Sequence, residues 1–202
     1  MGPASQDAVA RLGEVERLAR AVGFAARAHH SQMRKDGRTP YVSHVFRVCL
    51  IVRHLFGYDD PRMLLTALLH DTLEDTDTDL DDLLRLVDDA EVARWVALMT
   101  KDKRLPEAER ENDYMSRLVQ GPWQVIVCKL ADMADNLMDM KQSGGKKPPR
   151  QLGRLRMYYQ WIGQRLPAQA ADAYRIVGLL LEQTEAAFGI SADQAAPSVA
   201  PA

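Results

Sequence analysis

His70 and Asp71 sit where the segment "TALLHDTLEDTDTD" (66–79) changes character: Ala67, Leu68 and Leu69 run directly into His70, Asp71, Glu74 and Asp75. Seven acids fall between residues 70 and 82, and no Lys or Arg lies between Arg62 and Arg85 to neutralise them. Four-residue spacing puts His70 over Glu74 and Asp71 over Asp75 if one helix carries all four. His70 and Asp71 follow apolar residues without a break, so they lie at the edge of a core, where an uncompensated carboxylate is costly. A bound cation resolves that conflict, and imidazole with carboxylate is a donor set suited to a divalent metal. The acids further on have a simpler reading. Asp77, Asp79, Asp81 and Asp82 surround the start of the next helix, where caps and the helix dipole favour negative charge.

Two residues do not make a metal site, and two other segments offer partners. "KLADMADNL" (129–137) is an apolar helix with acids on its inner side, and its Asp132 and Asn136 share a face. "TPYVSHVFRV" (39–48) places His44 at the start of a helix that follows a proline-bearing loop. Donors from three separate helices are how an all-helical fold surrounds one ion.

The elements that must hold these residues are helices throughout. Apolar residues recur three and four apart in "DAVARLGEVERLARAVGFAARAHH", "SHVFRVCLIVRHLF" and "PRMLLTALLHD". Further helices are expected over 79–88, 90–101, 106–119, 122–141, 148–165 and 168–188. Pro61, Pro106, Pro122 and Pro149 fall near their starts. With 202 residues, 47% of them hydrophobic, the chain reads as a single all-α domain, a bundle of roughly eight helices over residues 1–189. An Ala/Pro-rich tail, 190–202, is expected to be disordered. A net charge of -2 and a pI near 6.2 argue against a nucleic-acid-binding surface. Cys49 and Cys128 sit inside apolar runs and read as core thiols of a reducing compartment. No apolar stretch approaches the length of a membrane span, so a cytoplasmic protein without membrane partners is expected.

The ordered set His44, His70–Asp71, Asp132 is similar to the H…HD…D signature of HD-domain metal-dependent phosphohydrolases. "RKDGRTPYVSH", "ALLHDTLEDTDT" and "KLADMADNL" together resemble the hydrolase domain of the Rel/Spo alarmone enzymes, above all the stand-alone small alarmone hydrolases of the metazoan Spo homologue type. The likeness runs in order from about Ala21 to Phe188. It implies release of the 3′-diphosphate of (p)ppGpp as pyrophosphate with Mn²⁺. His44, His70, Asp71 and Asp132 would be metal ligands, and Glu74 and Asp75 would position and deprotonate the attacking water, either one being the base. Asn136 would line the nucleotide pocket.

The substrate's charge also calls for donors. "MRKDGR" offers Arg34, Lys35 and Arg38; "TKDKR" offers Lys101, Lys103 and Arg104; "RLRMYY" sets Arg154 and Tyr158 on one helix face. By resemblance, Arg34, Lys35, Arg154 and Tyr158 contact substrate, and Lys103 joins them as a candidate. His29 reads as a core or supporting residue, His30 and His54 as surface, and Trp95, Trp123 and Trp161 as core. "SGGKKPP" (143–149) lacks the Walker spacing and reads as a flexible connection. Val45 and Asp135 depart from the family, which commonly has proline at the first and an aromatic or His at the second. Asp135 adds negative charge beside the expected nucleotide pocket. That leaves two alternatives: the same chemistry on ppApp or the 2′-phosphate of NADPH, or a nucleotide-sensing module without turnover.

Overall fold

A computed structural model describes residues 3–143 and 148–190. Residues 144–147 and the tail from 191 lie outside the described residues, and with them the middle of the "SGGKKPP" connection and most of the tail expected above to be disordered; Ser143 and Pro148–Pro149 of that connection belong to helices. Helix α1 covers Pro3–Ala28 and α2 Val42–Leu50, which continues as a wider π turn over Ile51–Leu55. Then come α3 (Pro61–Leu69), α4 (Thr72–Asp75), α5 (Leu80–Val87), α6 (Ala90–Met99) and α7 (Glu107–Gln120). The chain ends with α8 (Trp123–Ser143), α9 (Pro148–Gln164), a short 3₁₀ turn at Ala168–Ala170 and α10 (Ala171–Phe188). Among the described residues no strand forms, only one backbone bridge between Met33 and Pro40. The fold is all-α, as the periodicity predicts. The helix count exceeds the expected eight mainly through segmentation, since α4 is a single turn.

Starts and stops follow local chemistry. The Asp60 side chain accepts from the Arg62 backbone N–H ahead of Pro61 at the start of α3. Asp79 and Asp82 form a reciprocal capping box at the start of α5, which is the structural role expected of that part of the acidic run.

Two helices carry the interior. Helix α8 is buried on every side from Val125 to Asp135, and α2, α3 and α10 pack around it. Helix α3 has two apolar faces. Met63, Leu64 and Ala67 join the core around α8, while Leu65, Leu68 and Leu69 join a second core with α1, α5 and α6. A helix buried all round has no solvent face to receive polar groups. Its C-terminal end therefore delivers His70 into the protein between the two cores.

The condition attached to the four-residue stacking, one helix running through Asp75, is not met. Helix α3 stops at Leu69, and Asp71 takes φ −99°, ψ −2° before α4 begins at Thr72. The Thr72 hydroxyl donates to Leu69 O at 2.7 Å, capping the break from its own side chain.

Candidate active site

The loop before α2 is a tight turn. Asp36 accepts from the backbone N–H groups of Arg38 and Thr39 and from the Thr39 hydroxyl, and Gly37 supplies a φ of +71°. These hydrogen bonds, the Thr39 hydroxyl first, bring the Asp36 carboxyl down to about 2. So clamped, the loop sends Arg34 inward and α2 begins with His44 already buried.

His44, His70 and Asp132 each present one ligand atom, and these atoms lie within 4.8 Å of one another. His44 Nε2 is 3.2 Å from Asp132 Oδ1 and 3.5 Å from Asp71 Oδ2, and His70 Nε2 is 3.0 Å from Asp71 Oδ2. The four side chains singled out as a ligand set thus converge from α2, the α3–α4 break and α8. Both rings are anchored through the other nitrogen, His44 Nδ1 by Asp135 Oδ2 at 2.6 Å and His70 Nδ1 by Ala67 O at 2.8 Å. Both Nε2 atoms are left facing the cluster. That of His70 is buried and, despite its closeness to Asp71, has no partner in hydrogen-bond geometry.

Electrostatics describe the same cluster. Burial opposes a charge on His44, yet hydrogen bonds with Asp132, Asp135 and Asp71 lift it well above an ordinary histidine. His70 is raised against its burial by Asp71 and Asp132. Burial favours the neutral form of Asp71 and Asp132, but His70 and His44 around the first, and Lys129 and His44 around the second, hold both far below the usual carboxylate range. Two imidazoles and two ionised carboxylates, gathered with Nε2 atoms inward, fit a divalent cation of the nitrogen–oxygen type.

Comparison with known proteins bears on this geometry. The HD domain family matches residues 21–167 of the chain. This chain belongs to the HD-domain family. It is 39% identical over 153 residues to human guanosine-3′,5′-bis(diphosphate) 3′-pyrophosphohydrolase MESH1, covering 75% of this chain and 83% of that one. The zebrafish (Danio rerio) protein of the same name is 38% identical, over 73% and 81% of the two chains. A solved structure of a metazoan orthologue of SpoT, described as hydrolysing ppGpp and acting in starvation responses, superposes with a TM-score of 0.66 at 29% identity, covering 87% of this chain and 97% of that one.

In this HD domain His44, His70, Asp71 and Asp132 line a cavity of about 220 Å³. Glu74 and Asp75, on α4, stand at its edge. The Glu74 carboxylate accepts from the Lys101 backbone N–H at 3.0 Å, and burial raises it above an ordinary glutamate. Asp75 pairs with Lys103 Nζ at 2.8 Å. Opposite stands a cationic wall. Arg34 donates to Asn136 Oδ1 at 3.2 Å and Asp139 Oδ2 at 3.0 Å, while Lys35 donates to Gln151 Oε1 at 2.6 Å. Arg154 and Tyr158 line the same cavity from α9. Of the expected substrate contacts, Lys103 is the one outside the lining, since Asp75 holds it at the exposed rim. Arg38 and Arg104 point to solvent, Arg104 paired with Asp102.

Several residues enter that sequence reasoning did not single out. Tyr41 donates its hydroxyl to Asp71 Oδ2 at 2.6 Å. Glu111 takes up Lys101 Nζ at 3.0 Å and accepts the Tyr158 hydroxyl. Lys129 lies buried 2.8 Å from Asp132 Oδ2, over the rings of Tyr114 and Tyr158. A lysine inside the unbroken apolar run "VIVCKLA" was the available signal for that last residue. Asp135 requires a correction: it does not line the cavity. Three positions along α8 from Asp132, it points to α2, where His44 and the Arg47 guanidinium neutralise it. His29 is buried and bonded to Gln32, while His30 and His54 are exposed. Trp95 is core, whereas Trp123 and Trp161 are half-buried. No helix among the described residues is long and apolar enough to cross a membrane.

Proposed function

We propose that this chain is a divalent-metal-dependent (p)ppGpp 3′-pyrophosphohydrolase that uses Mn²⁺. The observation that carries the reading is the meeting of His44, His70, Asp71 and Asp132 beneath two further acids and opposite Arg34, Lys35 and Arg154. A polyanionic ester is repelled by an acidic floor, and a bound divalent ion would supply the charge that admits it and acidify the attacking water. Arg34, Lys35 and Arg154 grip phosphates, and the Tyr158 ring with Asn136 holds the nucleoside. Glu74 or Asp75 orients a water and takes its proton. The water oxygen bonds to the phosphorus attached at the ribose 3′-oxygen, that P–O bond breaks, and a proton passes to O3′, so ppGpp gives GDP and pyrophosphate. Glu74 is the stronger candidate for the base, because Asp75 is already paired with Lys103 and burial raises Glu74 above an ordinary glutamate.

The test is direct. Purified protein with Mn²⁺ converts ppGpp to GDP and pyrophosphate, and Glu74→Gln lowers turnover about 10²–10⁴-fold while metal stays bound. No turnover with bound metal verified by elemental analysis overturns the reading. A panel of ppGpp, ppApp and NADPH ranks the substrates. Asp135, which motivates that panel, is bonded to His44 and Arg47 and is not among the residues lining the cavity, and the presence of Glu74 and Asp75 in the lining argues against a module without turnover.

A further inference from the structure

Asp135 is a carboxylate with 1% exposure, on a buried helix. Its Oδ2 meets His44 Nδ1 at 2.6 Å, its two oxygens receive Arg47 Nε and Nη2, and Arg34 Nη2 lies 3.7 Å away. Arg47 in turn reaches Asp139 Oδ1 at 3.6 Å, and Asp139 Oδ2 receives Arg34 at 3.0 Å. A chain of charges thus runs from the ligand cluster, through α8, to the loop that carries the phosphate-facing Arg34.

We propose that Asp135 is a positioning residue that holds His44 in the Nδ1–H tautomer with Nε2 aimed at the metal, and that Arg47 keeps that carboxylate in place. The assignment rests on the metal reading above. A ligating imidazole must carry its proton on the nitrogen away from the ion, and a carboxylate at that nitrogen fixes both tautomer and ring orientation while increasing ligand basicity. His70 reaches the same end with a neutral acceptor, Ala67 O. The two imidazoles are therefore unequal, His44 being backed by an anion and His70 by a peptide carbonyl. Charge at Asp135 would act on a bound ion through His44.

Two measurements test it without substrate. Equilibrium dialysis against Mn²⁺ alone, followed by metal analysis, gives the affinity of the wild-type chain and of Asp135→Asn. The variant is expected to bind about 10–100-fold more weakly, and an affinity within twofold of wild type overturns the proposal. In the wild-type chain loaded with diamagnetic Zn²⁺, long-range ¹H–¹⁵N spectra report the His44 tautomer. Nδ1–H with a deshielded proton is expected; Nε2–H overturns the assignment even if Asp135→Asn fails to fold. A chain that takes up no divalent ion overturns this proposal together with the metal reading. One that binds Mn²⁺ with wild-type dependence on Asp135 but leaves ppGpp intact fails the hydrolase reading alone.

Discussion

Lys129 is the residue on which the ligand cluster leans when no cation is present. Its ammonium is buried 2.8 Å from Asp132 Oδ2, 4.8 Å above the Tyr158 ring and 5.3 Å from that of Tyr114, so it is desolvated but well compensated. Burial disfavours its charge, yet Asp132 and the two tyrosines raise it well above an ordinary lysine. Removing one member of a buried pair strands the other. Lys129→Met is therefore expected to lower metal-free stability by about 3 kcal/mol, read from urea unfolding. A saturating divalent ion should recover much of the loss by taking over the neutralisation of Asp132, and an equal deficit with and without metal sinks that account. At this scale the convergence of His44, His70, Asp71 and Asp132 was legible because coordination chemistry restricts residue type, and histidine and aspartate stand out against apolar neighbours. Supporting residues were not. Lys129 lies over Tyr114 and Tyr158 only because α7 and α9 pack on α8, Lys35 meets Gln151 across the chain, and the orientation of Asp135 depends on how α8 is rotated against α2.

Between elements, the packing of α9 on α10 has a reciprocal form that no local pattern announces. Tyr159 and Tyr174 stack at 3.9 Å with planes 7° apart, and each hydroxyl reaches over a glycine of the opposite helix. A Cβ on Gly163 would sit 2.3 Å from the Tyr174 hydroxyl, and one on Gly178 would sit 2.4 Å from that of Tyr159. Alanine in a helix interior is normally worth about 1 kcal/mol over glycine. Overpacking costs about 1–3 kcal/mol, and the stacked partner resists a swing of the ring. Gly163→Ala is thus expected to destabilise by roughly 1 kcal/mol net. The same substitution in a Tyr174→Ala background should stabilise, and denaturant midpoints that move the same way in both backgrounds contradict the packing account. Helix boundaries were otherwise readable, because three-and-four spacing, prolines and caps act locally. The break at His70–Asp71 was left open, since no glycine or proline marks it and the polar run from His70 suits either a continued helix or a turn.

Across the molecule, the two cores share α3 and are separated at its end by the polar cluster, so the donors join parts of the chain far apart in sequence. His44 comes from α2, His70 and Asp71 from the turn after α3, and Asp132 from the middle of α8. A divalent ion bound by all of them would act as a cross-link made only in the folded state, where the donors are assembled. Binding to the native form alone raises stability by about 2.7 kcal/mol at a free ion concentration of 100 times Kd, which for a chain of this size moves Tm by about 5–10 °C. Thermal melts after exhaustive chelation and again with added Mn²⁺ are expected to differ by that amount. The rise should track the logarithm of ion concentration above Kd. His70→Ala removes a buried donor other than Glu74 and Asp75, so it should abolish the metal-dependent rise while Glu74→Gln retains it. If chelation leaves Tm unchanged while metal analysis finds the ion bound before and gone after, the ion does not bridge these segments. The convergence of α2, α3 and α8 would then be packing alone.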